Sequence, residues 1–401
     1  MDAHPMSSTA PPSFPFVPRL IGEPPPEFAR FRAVGGLTNV VLPSGDVAWL
    51  ATRYADVRQV LTDPRMSRAA ATSPDAPRLG PLHPNPQSMM AMDPPSHTRL
   101  RRFLTPLFTR TRCESYRASV HNLVNRLLSN MAAAGSPGEL NRGLSRPLAL
   151  TVICDVIGVP ESDRGDFVHQ VDRALSLWPS AGSEVQQARH SLRDYLNALV
   201  AHPSSASGGL VAELADMVGG EELTEVLATV LAAGYHTVST AITNSTLVLL
   251  RHPDQLDVLR SNPDLLPAAV EELLRYAPGP VSGGTIRVAT EDLIIGTTRV
   301  HAGEAVIPAT TSANRDRLIF PDGNHLDLGR RANPHIAFGA GVHHCLGMHL
   351  ARIELAAAIG GLIDHFPHLR LAVAPERLVW RVDAIIGGVE ELPIAWTANS
   401  G

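Results

Sequence analysis

Apolar positions recur at spacings of three and four through most of the chain beyond residue 97, the period of a helix with one buried face. The pattern predicts helices over residues 112–134, 147–157, 163–178 and 184–200, with Gly135-Ser-Pro137 and Gly158-Val-Pro160 as stops. The longest apolar-rich run, 223–250, has no internal proline. Glu225, His236 and Asn244 make it too polar for a membrane span and predict a buried central helix. Alternation over 47–51 predicts a strand, followed by a helix over 54–62, while 68–86 is rich in Pro, Ser and Ala and reads as a loop. Short strands are predicted at 291–295, 299–300, 305–308, 369–373 and 378–382. The expected class is mainly α with a small β region, an α+β chain.

Composition changes this picture little. A length of 401 residues supports a large core, and no linker, repeat or long charge run divides it. One domain over 28–401 is expected, behind a flexible Pro/Ser-rich segment 1–27. A net charge of −5 gives no hint of nucleic acid, and no lysine occurs, which reads as genomic base bias. The first 27 residues hold no apolar run of membrane-spanning length. Three widely spaced cysteines, Cys113, Cys154 and Cys345, suit a reducing compartment without disulfides. The expectation is a cytoplasmic protein.

The most informative chemistry lies in His335-Ile-Ala-Phe338-Gly339-Ala-Gly341-Val-His343-His344-Cys345-Leu-Gly347. A free thiol titrates at ~8.5, so a thiolate near neutral pH needs help. A loop of small residues lets backbone N–H groups approach the sulfur, and the start of a following helix adds positive potential. This is how a chain would hold a cysteine as an axial ligand to haem iron. A plain buried cysteine is the bland alternative, and the three glycines and two histidines around it make that reading poor.

The stretch from Phe338 to Gly347, continuing into Leu350-Ala-Arg352-Ile-Glu354, resembles the haem-binding signature of the cytochrome P450 superfamily, in its soluble bacterial class I form. Phe338, Gly339, Gly341, His343, Cys345 and Gly347 fall in register with it. The resemblance spans about residues 47–393 and implies the P450 fold, with haem b between a long central helix and the cysteine loop. By the same resemblance Cys345 is the proximal iron ligand, Phe338 packs beside it, and His343 contacts a haem propionate. His97, Arg101 and Arg287 match further propionate positions; arginine suits planar carboxylates because its guanidinium donates in pairs. Glu272 and Arg275, three apart on one helical face, resemble the family's Glu-x-x-Arg. With Arg330 they are expected to fix the cysteine loop.

Ala233-Gly234-Tyr235-His236-Thr237 resembles the oxygen-groove motif, in which small residues leave room for dioxygen and a threonine hydroxyl orders it. His236 stands where the family usually has an acid. A histidine titrates at ~6.5 and could relay protons itself, contact substrate or tie down the helix. The substrate pocket is expected from Met89, Met92, Val230, Ser282, Gly283, Ile385 and Ile386, and from residues 175–179. Low aromatic content (5%) predicts an aliphatic pocket.

The resemblance implies a monomeric monooxygenase of secondary metabolism. It would oxidise a small hydrophobic molecule of polyketide, terpene or cyclic-peptide type. No dinucleotide fingerprint occurs, so electrons would come from NAD(P)H through a ferredoxin reductase and a ferredoxin. The acidic ferredoxin would dock on Arg101, Arg102, Arg110 and Arg112. The alternative is an oxidase joining aromatic units by C–C or C–N bonds without oxygen insertion. A haem-binding sensor is a rival from another class, which Gly234 and Thr237 argue against.

Overall fold

The computed structural model describes residues 10–18, 23–80, 83–174, 183–203, 206–277, 279, 285–381 and 387–397. Its axis is the helix Gly220–Arg251. Glu221 and Glu222 in the first turn and Arg251 in the last complement the helix dipole, and the helix ends just before the His252-Pro253 step. Side chains all round it are buried, because the helices Arg146–Ile157, Ser183–Ala201 and Met348–His365 pack against it. By length and composition alone this helix could cross a membrane, yet 56% of its most apolar window is buried inside the protein.

The main sheet packs around hydrophobic clusters of its own, beside this helical core. Strands Thr38–Val41, Val47–Ala51, Ala305–Pro308, Arg287–Ala289 and Met66–Ser67 form one sheet in that order. Val47–Ala51 and Ala305–Pro308 run parallel, and the other neighbours are antiparallel. The register sets Ser67 opposite Val288, which brings Arg68 and Arg287 to one corner of the sheet beside the helical core.

Most predicted elements appear near their expected bounds, and the differences have local causes. The helix expected over 112–134 is two, Arg110–Glu114 and Arg117–Ala134. At the break the Ser115 hydroxyl donates to the Arg112 carbonyl at 2.7 Å, offering the backbone a non-helical alternative. The strand expected from 291 is Leu293–Ile295, because the Asp292 carboxylate is engaged by the Ala302 N–H and by Arg299. The helix expected over 163–178 is Arg164–Ala174, and the rest of that stretch lies outside the described residues. Within the segment expected to be flexible, residues 10–18 instead lie against the sheet. The Phe14 N–H donates to Val41 O at 2.8 Å, and Phe14 and Phe28 bury themselves with Phe16 and Phe31.

Candidate active site

The loop carrying Cys345 is built by backbone constraints. Gly339 and Gly341 take left-handed φ values of 73° and 72°, and a Cβ on Gly341 would meet the Leu61 carbonyl oxygen at 2.5 Å. Only glycine fits there. The Cys345 N–H donates to Phe338 O at 2.9 Å, and the His344 N–H to Gly341 O at 3.0 Å, which closes the loop. The helix Met348–His365 starts just beyond, with Gly347 as its N-cap. Burial pushes the Cys345 thiol up, while the Gly347 N–H, Arg101 and Arg352 pull it down. Arg352 sits over the Phe338 ring at 4.6 Å and is itself held by Glu271.

The sulfur faces a cavity of ≈370 Å³ whose walls come from widely separated segments. His97, Arg101, Arg287 and His343 all line it, as the sequence led one to expect. The rings of His97 and His343 lie 4.2 Å apart, and Arg101 Nη2 donates to His344 O at 2.6 Å. Arg68, absent from the sequence reading, joins them. Its Nε and Nη1 donate to the Met90 and Ile286 carbonyls, both at 2.9 Å. Nothing in the local sequence separates Arg68 from the chain's other arginines; only the strand pairing brings it to Arg287.

Burial, with Arg287 beside it, lowers Arg68 to about 10, and burial lowers Arg287 to about 10. Burial, His97 and the two arginines push His343 down to about 3, so it is neutral at pH 7. The corner therefore holds three guanidinium groups (Arg68, Arg101, Arg287) against one carboxylate, Asp93, which accepts the Arg68 N–H. Three less one leaves a surplus of two positive charges. His97 Nδ1, His343 Nε2 and Arg287 Nε are buried without a partner among the described residues. Glu354, also on the wall, cannot cancel this charge, because full burial raises its carboxyl well above the usual range. A dianion with planar carboxylates fits this corner, and the two propionates of a haem are such a group.

Opposite the sulfur runs the middle of the central helix. Ala233, Gly234 and Thr237 line the cavity, and the Thr237 hydroxyl donates back to the Ala233 carbonyl. Gly234 is small for a packing reason as well, since a Cβ there would meet Ile153 Cδ1 at 2.5 Å. His236, a candidate for relaying protons, contacting substrate or tying down the helix, is not part of the cavity wall. Its ring packs on Tyr235 at 4.5 Å, because one residue turns a helix by about 100°. Met89 and Val230 line the cavity as expected. Met92 does not; it packs against the helical core, and Met90 takes its place on the wall. Ser282, Gly283, Ile385, Ile386 and residues 175–179 lie outside the described residues.

Behind the loop, Glu272, Arg275 and Arg330 come together. Glu272 is fully buried and accepts from Arg275 Nε and Nη2, both at 2.7 Å, from Arg330 Nε at 3.1 Å and from Asn333 Nδ2 at 3.1 Å. Arg275 continues to the carbonyls of Asn314 and Gly323, and Asn314 Oδ1 accepts the Ile336 N–H two residues before Phe338. Next to it, Glu271 would be raised by burial. Hydrogen bonds from Arg352 and His335 outweigh that and hold it at about 2. A depressed carboxyl contributes stability fully above its unfolded pKa of ~4.3 and loses it as pH falls towards about 2. Glu271→Gln is therefore expected to lower stability at pH 7 and to flatten the acid limb, read by urea unfolding at several pH values between these limits.

Comparison with known proteins decides the family. The cytochrome P450 family model matches residues 182–377. The nocardicin C N-oxygenase of Nocardia uniformis subsp. tsuyamanensis is 40% identical over 398 residues, covering 98% of this chain and all of the relative. The chain is a cytochrome P450. The mycinamicin IV hydroxylase/epoxidase of Micromonospora griseorubida is 35% identical, over 92% of this P450 and 94% of the relative. Among solved structures, SgvP, a putative thioether synthase of griseoviridin tailoring, superposes with a TM-score of 0.90 at 38% identity, over 97% of this chain and all of its own. This P450 is thus an oxidoreductase of the monooxygenase type, and its relatives serve secondary metabolism. Its cofactor is haem, and the orphaned donors and surplus positive charge of the corner accommodate one.

Proposed function

We propose that this P450 binds haem b through Cys345 and inserts one atom of dioxygen into a small, largely apolar secondary metabolite. One observation carries the reading: a single cavity joins the half-buried Cys345, a corner with two surplus positive charges and the Ala233–Thr237 turn of the central helix. The haem, when bound, supplies electron transfer and dioxygen activation. The chain does the rest. Arg68, His97, Arg101, Arg287 and His343 bind the propionates and fix the orientation of the group. Phe338, Gly339 and Gly347 shape the loop on the sulfur side, and Glu272, Arg275 and Arg330 hold that loop in place. Thr237 positions a hydroxyl oxygen at the oxygen side, its proton given back to the Ala233 carbonyl, while Ala233 and Gly234 keep that side open. His236 acts from outside the cavity as a positioning residue for this turn.

The substrate is read as a polyketide-, terpene- or cyclic-peptide-like molecule, since Met89, Val230 and Ala233 offer an aliphatic wall. Nocardicin C and mycinamicin IV, named for the relatives above, are guides to its class. The chain acts as a single domain and a cytoplasmic monomer, and takes electrons from NAD(P)H through a ferredoxin reductase and a ferredoxin. Arg101 and Arg112 drop out of the expected docking face, because the first lines the cavity and the second is paired with Glu213. Exposed Arg102 and Arg110, with Val342 nearby in sequence to the ligand loop, remain.

Turnover under isotopically labelled dioxygen tests the assignment: one labelled atom in the product is expected. Product without label would favour the coupling alternative, which draws no support from the relatives. Thr237→Ala is expected to keep consuming NAD(P)H while product per reducing equivalent falls, by up to on the order of 10²-fold, and peroxide rises. His236→Ala should change both far less. Arg68→Ala should retain the fold and release haem about 10- to 100-fold faster to a haem acceptor, the loss of one charge-assisted hydrogen-bond partner.

A further inference from the structure

Glu225 stands on the second turn of the central helix, about three turns before Thr237, and is 5% exposed. Its two carboxylate oxygens serve two different elements. Oε2 accepts from Asn85 Nδ2 at 2.8 Å, in the loop that continues into Met89 and Met90. Oε1 accepts from Arg193 Nη1, on the helix Ser183–Ala201. One turn further along, Thr229 Oγ1 shares a hydrogen bond of 3.0 Å with Ser88 Oγ, and Ser88 Oγ also accepts the Met90 N–H. The far end of the same loop is tied down by Arg68, through the Met90 carbonyl. Met89, Met90 and Thr229 all line the cavity.

We propose that Glu225 is a positioning residue for substrate selection, holding the Met89–Met90 wall at a fixed distance from the central helix. The chemistry leaves few alternatives for this carboxylate. It is too far along the helix to touch the oxygen-side turn, and its oxygens are committed to two covering elements. Arg193 supplies the opposite charge beside this buried carboxylate, and Asn85 is the group that the carboxylate holds. Between them, Asn85–Glu225 and Ser88–Thr229 are side-chain hydrogen bonds from the loop to the central helix, and the rest of the wall is methionine, which adapts its shape readily. A wall of flexible side chains on a fixed backbone admits guests by width; freeing the backbone would relax that limit. The inference rests on the haem-thiolate reading only for its spectroscopic arm.

The test uses the holoenzyme and two iron-binding probes, imidazole and a bulky triarylmethyl-imidazole, followed by the Soret shift in stopped flow. Asn85→Ala and Arg193→Met should each speed association of the bulky azole about tenfold, with imidazole unchanged within about twofold. The double variant should gain less than the product of the two, since both act through one carboxylate. Glu225→Ala should equal or exceed it, and if that variant does not fold, the two partner variants carry the test alone. Hydrogen exchange at Met90, Ala91 and Met92 should quicken in the same variants, a readout that stands even if no thiolate-ligated haem is found. Unchanged azole rates together with unchanged exchange, or equal acceleration of both azoles, would overturn the proposal and leave Glu225 as a fold-stabilising ion pair.

Discussion

Cys345→Ala abolishes turnover and removes the Soret band of a thiolate-ligated ferrous carbonyl complex, while the protein stays folded. The loop around the sulfur is closed by backbone bonds that do not use the side chain: Cys345 N–H to Phe338 O, His344 N–H to Gly341 O and Gly339 N–H to Ile336 O. Removing the sulfur therefore costs little in folding. It costs thiolate ligation outright, because no other cysteine lines the cavity among the described residues. His343 is turned to His97, and His344, which also lines the cavity, is the one neighbouring imidazole to watch for in the variant's spectrum. The site is also not a thiolate trap in its own right. Burial raises the thiol, and one N–H from Gly347 with the charges of Arg101 and Arg352 offsets that only in part. Deprotonation is thus expected to come with the metal, since a coordinated thiol loses its proton outright. In the haem-free protein Cys345 should react sluggishly with alkylating reagents near neutral pH; loading with haem should block the reaction altogether. A Cys345→Ala protein that still gave the thiolate-type carbonyl spectrum would refute the assignment.

The second large effect belongs to Glu272. Glu272→Ala removes the shared acceptor of Arg275, Arg330 and Asn333 and of the Asp327 N–H, at a point with no access to water. Arg275, 1% exposed, then keeps its charge with carbonyl partners alone. Breaking a buried pair from one side costs about 3–5 kcal/mol, a large part of a typical folding free energy of ~5–15 kcal/mol. Because Arg275 also orders Asn314, and Asn314 holds Ile336, the damage reaches the cysteine loop by two hydrogen bonds. The expected product is largely haem-free, with a thermal midpoint lowered by roughly 4–6 °C. Haem-to-protein ratio and calorimetry measure both. Full haem occupancy with an unchanged midpoint would show that the clamp is ornamental.

How far the site was legible depended on whether a residue's signal is local. The cysteine loop was legible because its chemistry is contiguous: small residues for close approach, the sulfur, then a helix start. The Glu272–Arg275 spacing was weak by itself and gained meaning from the resemblance. Met92 and His236 were misplaced for one reason. His236 sits beside Thr237, and Met92 two residues after Met90, and the turning of the helix and of the 3₁₀ segment that Met92 closes directs nearby side chains to different sides. The flexible start predicted from its prolines missed Phe14 and Phe16, whose burial needs Phe28 and Phe31 as partners.

The amino-acid order alone determined the helical class, the long buried axis, the iron-binding loop and the family, since each is written in periodicity or in one unbroken motif. Tertiary structure decided the rest. Arg68 meets Arg287 only through pairing of Met66–Ser67 with Arg287–Ala289, and Glu225 meets Asn85 and Arg193 only after two distant segments fold over one helix. Charge surplus and steric width are sums over groups far apart along the chain, so no window of sequence contains them.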